Sequence, residues 1–211
     1  FDEKPVVFDG ALYFAADDGV SGVELWKYDG VAASRVTDIN PGAGDALSFG
    51  TGVPFEAIAL DDGVYFTAND GASGNELWVF DGTTATLVED IVPGLVGSNP
   101  NNLAEYQGDL YFGAFWPDSF STQLLRYDGE GVELAHEFPA NVNPAGLTVA
   151  GNTLYFAAGV GPGGRQLVSL QIVPEPSAVS LWIVVGTFLC GFGISIRRQR
   201  ARAPSAVSTR K

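Results

Sequence analysis

The stretches GVELWKYDGV (22–31) and GNELWVFDGT (74–83) are nearly the same sequence, and a chain that repeats itself at long period must fold as a series of like units. Aligned on itself, the chain gives ALYFAADDGVSGVELWKYDG (11–30), GVYFTANDGASGNELWVFDG (63–82), DLYFGAFWPDSFSTQLLRYDG (109–129) and TLYFAAGVGPGGRQLVSL (153–170). The Tyr-Phe pairs fall at 13–14, 65–66, 111–112 and 155–156, so the spacing runs 52, 46 and 44 residues. A second landmark follows in the first two copies, VTDINPG (36–42) and VEDIVPG (88–94), and degenerates to AHEFPAN (135–141) in the third. Landmarks that persist while the spacing drifts mark a structural unit rather than low complexity.

Each unit resolves into four short segments of strand character. The first is LYFAA or VYFTA and the second VELWKYD or NELWVFD, in which large and polar residues alternate. The third is SRVTDI or TLVEDI; the fourth is FEAIAL (55–60), NLAEY (102–106) or GLTVA, which ends at Ala150. Asp9-Gly10, Asp61-Asp62, Gln107-Gly108 and Gly151-Asn152 join the fourth segment to the next Tyr-Phe, and Asp29-Gly30, Asp81-Gly82 and Asp128-Gly129 join the second to the third. These are residue types that tolerate positive φ in tight hairpins. No stretch before residue 178 carries helical periodicity. Four antiparallel strands per unit of this length predict an all-β fold of β-propeller-like repeats. Trp26 and Trp78 would fill equivalent gaps between neighbouring blades.

The ends admit two readings. PVVF (5–8) corresponds to a fourth strand of a preceding unit, and the last unit has two strands before the tail. Joined, they close a four-bladed ring; alternatively, a chain that opens on Phe1 without Met is a fragment or processed form with more blades upstream.

Charge divides the chain sharply. Residues 1–177 hold all 25 acidic residues and five basic ones, a net −20, whereas 178–211 hold six basic residues and no acid. Such a body repels nucleic acid, and the tail seeks anionic lipid. Pro174-Glu175-Pro176 is followed by an uncharged run, Ser177–Ile196, and then RRQRAR. As a helix that run spans about 30 Å, a bilayer core. Arg197, Arg198, Arg200 and Arg202 abut it, so the positive-inside rule puts the C-terminus in the cytoplasm and the acidic body outside. The organisation predicted is a repeat domain over 1–172, a Pro-Glu-Pro linker over 173–177, a single transmembrane helix over 178–196 and a basic cytoplasmic tail over 197–211. The sole cysteine, Cys190, lies in the apolar run, so no intramolecular disulfide is available.

This C-terminal order of VPEP, apolar helix and arginine cluster resembles the PEP-CTERM sorting signal of Gram-negative bacteria. The resemblance implies Pro174, Glu175 and Pro176 as the sorting motif, an exosortase-type membrane enzyme as partner, and a link to extracellular polysaccharide and biofilm. The body resembles the bacterial ELWxxDGT repeat family through Glu24, Leu25, Trp26, Asp29 and Gly30, and through Glu76, Leu77, Trp78, Asp81, Gly82 and Thr83. That family occurs in secreted proteins and carries no assigned reaction, so it implies architecture.

Chemistry-bearing residues are sparse. His136 is the single histidine, so neither a Ser-His-Asp set nor a His-rich metal set assembles from this chain without partners from elsewhere. Asp17, Asp18, Asn69 and Asp70, in the loops ADDGVSG and ANDGASG, offer oxygen ligands that would suit Ca²⁺, although turn chemistry calls for the same residues. No other cofactor is implied. Phe115, Trp116 and Phe120, in FWPDSF, put aromatics where the other copies are polar and are the candidate ligand contacts, suited to a sugar ring or a partner surface. The reading is of a non-enzymatic, exported cell-surface or matrix protein, held in the inner membrane until sorted. Its alternatives are a secreted polysaccharide-active hydrolase and a calcium-stabilised structural spacer.

Overall fold

The computed structural model describes residues 4–47, 55–139, 143–159, 164–174, 179–184 and 193–196. They form seventeen strands in four antiparallel sheets, with no helix among the described residues. The first sheet is β1 (Val6–Phe8), β2 (Ala11–Asp17), β3 (Val23–Tyr28) and β4 (Ala33–Arg35); the second is β5 (Ala57–Leu60), β6 (Gly63–Asn69), β7 (Asn75–Phe80) and β8 (Ala85–Leu87). The third is β9 (Asn101–Tyr106), β10 (Asp109–Trp116), β11 (Ser121–Tyr127) and β12 (Val132–His136). The fourth begins with β13 (Ala145–Ala150), β14 (Thr153–Gly159) and β15 (Arg165–Pro174), and continues with β16 (Val179–Val184) and β17 (Gly193–Ile196).

Each sheet is a meander in chain order, built from hairpins whose turns the sequence encodes. Asp9 and Gly10 both have positive φ (46° and 73°), as do Gln107 and Gly108 (56° and 86°), the primed-turn backbone that matches strand twist. In the Asp-Gly turns the aspartate side chain completes the loop: Asp29 Oδ1 accepts from the N–H groups of Val31 and Ala32, and Asp81 Oδ1 from those of Thr83 and Thr84.

The segment before each Tyr-Phe pair opens a sheet rather than ending one. Val6–Phe8 therefore pairs with β2 in the first sheet, which corrects its assignment as the fourth strand of a preceding unit. The hairpin explains this, since a two-residue turn ties it to β2 at little entropic cost. The fourth sheet is extended instead by β16 and β17, each antiparallel to its neighbour. Those two strands lie within 178–196, where a membrane helix is predicted. Residues 175–178, 185–192 and 197–211 lie outside the described residues, and among the described residues no helix is long and apolar enough to cross a membrane. An uncharged run rich in Val, Ile, Leu and Trp can satisfy its backbone internally or along an open sheet edge, and periodicity does not separate the two.

The four sheets pack face to face in series, and three apolar clusters occupy the three interfaces. Tyr13 and Leu25 of the first sheet meet Val64 and Phe66 of the second. Tyr65 and Leu77 of the second meet Leu110 and Phe112 of the third, and Tyr111 and Leu124 of the third meet Leu154 and Phe156 of the fourth. The Tyr-Phe dipeptide thus serves two interfaces at once, because successive strand residues point to opposite faces. The first three sheets give their Tyr to the next sheet, and the last three give their Phe to the previous one. Phe66, Phe112 and Phe156 are all wholly buried, and each contributes about 2–3 kcal/mol of apolar burial. Trp78 packs into the interface between the first and second sheets as expected. Trp26, paired with Phe14 as Trp78 is with Phe66, lies on the face of the first sheet turned away from the second.

Candidate functional site

The interfaces share a plan near their hairpin ends: the last residue of a sheet's first strand approaches a turn of the following sheet. Phe8 does so between the first and second sheets. Its ring lies beside Tyr13 (centroids 6.1 Å apart), Tyr13 lies beside Phe80 (5.8 Å), and a Cβ at Gly82 would lie 3.8 Å from the Phe8 ring. Tyr106 holds the corresponding place between the third and fourth sheets, edge-on to Tyr111 at 5.7 Å, with its hydroxyl donating to the Asn152 carbonyl at 2.9 Å. Between the second and third sheets the residue is Leu60, which pairs with Gly63 as Phe8 pairs with Ala11 and Tyr106 with Asp109. The shorter side chain leaves a cleft of about 400 Å³.

Tyr65 and Tyr127, 5.8 Å apart, form the floor of this cleft, and the exposed turns Asp61-Asp62 and Asp128-Gly129, with Glu105 and Gly108, form its rim. The Tyr65 hydroxyl donates to Asp62 Oδ2 at 2.8 Å, and burial followed by that carboxylate pushes its pKa well up, so it stays protonated at physiological pH. Asp128 is held low by the N–H groups of Glu130 and Gly131 and lies 3.8 Å from Arg126, whose Nε donates to Asp109 at 2.6 Å and whose Nη1 pairs with Glu133. Four carboxylates over an aromatic floor disfavour phosphate and other anions. They suit hydroxyl groups, which carboxylates accept from and tyrosine faces stack on, or a cation.

The predicted ligand contacts occupy different surroundings. Phe115 and Trp116 are the last two residues of β10, not loop residues, and they point to opposite faces of the sheet. Trp116 packs partly on the core between the second and third sheets. Phe120, in the turn, is 84% exposed with φ of 53°. The structure therefore does not gather the three into one platform.

The acidic loops are closed on themselves. Asp18 Oδ1 accepts from Val20 and Ser21 N–H, and Asp70 Oδ1 from Ala72 and Ser73 N–H, while Asp17 and Asn69 accept from Gly19 and Gly71. Those backbone bonds hold Asp18 and Asp70 below the ordinary aspartate range. Among the described residues no group of three or more His, Cys, Asp or Glu side chains converges as a metal site. His136 lies edge-on to Phe138 at 4.4 Å with Nδ1 buried, and burial pulls its pKa down to about 4. Pro174 ends β15, whereas Glu175, Pro176, Arg197, Arg198, Arg200 and Arg202 lie outside the described residues.

Neither the cleft nor the role of the repeated glutamate is legible in the sequence. Glu24 and Glu76 are completely buried. Glu76 accepts from the N–H groups of Val92 and Ser98 and from the Ser98 hydroxyl, and Glu24 accepts from the Thr37 hydroxyl and Asn40 N–H. Each carboxylate fastens the long segment that follows its sheet. The glycine before the motif makes room for that segment, since a Cβ at Gly74 would lie 2.4 Å from the Gly97 nitrogen. In the third copy Gln123 takes the same position, paired with Ala114 as Glu76 is with Ala68, and both accepts from Phe138 N–H and donates to Phe138 C=O. The one sequence signal was a charged residue recurring in a buried strand phase and replaced by its amide.

Comparison with protein families, with curated proteins and with solved structures finds no match to this chain.

Proposed function

We propose that the chain is a non-enzymatic binding or structural module of the cell envelope, its four sheets serving as β-propeller blades displayed outside the cytoplasm. The observation that carries the binding role is the acidic, tyrosine-floored cleft of about 400 Å³ between the second and third sheets, whose chemistry favours an extracellular polysaccharide or similar polyhydroxyl ligand. Support for the blade reading is the serial packing, with β1 beside β5, β5 beside β9 and β9 beside β13, as innermost strands around an axis would be. Export and sorting rest on the C-terminal order of Pro-Glu-Pro, apolar span and arginines; in this reading the span leaves the sheet edge it occupies at Val179–Val184 and Gly193–Ile196 to cross the inner membrane, with the arginines cytoplasmic and an exosortase-type enzyme acting near Pro174–Pro176.

A glycan array run beside a hydrolysis assay tests the function. Retention of an uncharged or cationic polysaccharide without turnover is the expected result; turnover would place the chain among hydrolases, and neither would remove the binding role. Deleting the sorting enzyme in the host should leave the uncleaved form in the membrane, and an unchanged size and location would remove the sorting role. A chelator that lowers the melting temperature would instead favour a calcium-stabilised spacer.

A further inference from the structure

The cleft between the second and third sheets is lined by six polar side chains, those of Asp61, Asp62, Tyr65, Glu105, Tyr127 and Asp128, and by no lysine, arginine, histidine, amide, serine or threonine. The four carboxylates can only accept hydrogen bonds. Either tyrosine could donate one, but both protons are already engaged within the protein. The Tyr65 hydroxyl donates to Asp62 Oδ2 at 2.8 Å, and the Tyr127 hydroxyl donates to the Gly129 carbonyl at 3.1 Å. Neither partner has a proton to give back, so each phenolic oxygen offers the cleft lone pairs alone. Backbone donors at the rim are engaged in the same way: Gly108 N–H donates to Glu105, and the N–H groups of Glu130 and Gly131 donate to Asp128. Arg126, 3.8 Å from Asp128, is committed to Asp109 and Glu133. The side-chain lining is therefore acceptor-only, a property of its hydrogen-bond directions as well as of its charge.

We infer that the cleft takes the protonated primary amine of an amino sugar, so that its ligand is a polysaccharide whose hexosamine units carry free amines. The inference rests on the polysaccharide-binding reading and names the sugar that reading leaves open. An ammonium group has three donors and no acceptor, and an acceptor-only lining satisfies all of it. An N-acetyl group brings a carbonyl that would face carboxylate and phenolic oxygens with no donor between them, which costs affinity. A neutral hydroxyl can donate its proton but must leave its lone pairs to water. The sugar ring itself stacks on the Tyr65 and Tyr127 rings, 5.8 Å apart, where a neighbouring cation is attracted to the aromatic faces. A lysine side chain carries the same ammonium on a narrow flexible stem, which covers less of a two-ring floor and loses more rotamer freedom when held. The net −20 of residues 1–177 raises the local concentration of any cationic polymer.

Calorimetric titration of the full chain in mild detergent tests this, at slightly acidic pH where the sugar amine is protonated. The probes are a glucosamine pentamer, an N-acetylglucosamine pentamer, a neutral glucose pentamer and a lysine pentapeptide. The glucosamine pentamer should bind at least about tenfold more tightly than either neutral sugar, and its affinity should fall as salt rises. Asp61 is exposed on the rim, and its carboxylate has no partner among the described residues. Asp61→Asn should therefore fold normally and weaken the glucosamine pentamer about tenfold, with little effect on the acetylated one. Leu60→Phe, which fills the cleft, should abolish binding of both. Equal affinity for the acetylated and free-amine pentamers, with both lost in Leu60→Phe, overturns the inference and leaves the polysaccharide reading standing. Binding of no sugar at all overturns the two together. Lysine pentapeptide bound as tightly as the glucosamine pentamer overturns the inference in favour of a basic protein partner, and glucosamine binding unaltered in Asp61→Asn or Leu60→Phe overturns it as well.

Discussion

A buried carboxylate is costly unless donors surround it, and Glu76 shows how the cost is offset. Burial pushes its pKa above the ordinary glutamate range, while the bonds from Ser98 and Val92 pull in the opposite direction. Glu76→Ala should strand the two buried Ser98 donors and the half-buried Val92 N–H, and destabilise the protein by about 3–5 kcal/mol. Glu76→Gln keeps an acceptor for the N–H groups and lets the Ser98 hydroxyl turn to accept, so its cost should stay within about 1 kcal/mol. Urea unfolding of both variants measures the difference; an alanine variant as stable as wild type would remove the fastening role. ELW could be read from the repeat, but its glutamate could not be given a task, because Ser98 is 22 residues away in sequence and no local period announces it.

At the scale of elements, the sequence specified strands and turns well because both are local. Alternation in LYFAA and VELWKY, and positive-φ residues between them, set the hairpins without reference to the rest of the chain. Assignment of a strand to its sheet was less legible at the ends, where β1 turned out to open the first sheet and part of the apolar C-terminal run joins the edge of the fourth. The cleft likewise belongs to a pair of elements, since it exists because Leu60 stands where Phe8 and Tyr106 stand at the neighbouring interfaces. Leu60→Phe should fill it. We expect stability unchanged or raised by up to about 1 kcal/mol, since added apolar burial offsets any strain. Loss of polysaccharide retention on the array should accompany it; retention at the wild-type level would show that binding occurs elsewhere.

For the whole molecule, acidity governs solubility and histidine burial gives one resolvable pH effect. The His136 pKa is about 4 in the fold and near 6.5 unfolded, so between those values the unfolded chain binds the extra proton. Stability from this group is complete above about pH 6.5 and is lost as pH falls toward 4. The loss is about 1–2 kcal/mol once partial exposure is discounted. His136→Leu should flatten that limb of the curve, and denaturant midpoints of the two proteins at matched pH measure it; parallel curves would show that the histidine is already charged in the fold. Below about pH 4, Asp18, Asp70 and Asp128 add to acid loss because their turns hold them low. By itself the sequence determined the repeat, the strand and turn chemistry, and the division into an acidic body and an apolar, arginine-flanked end, all of which depend on residues close together in the chain. Only the tertiary structure decided which faces meet, where Leu60 leaves space and what Glu76 holds. Those depend on contacts between residues tens of positions apart, whose side chains meet only after the sheets have stacked.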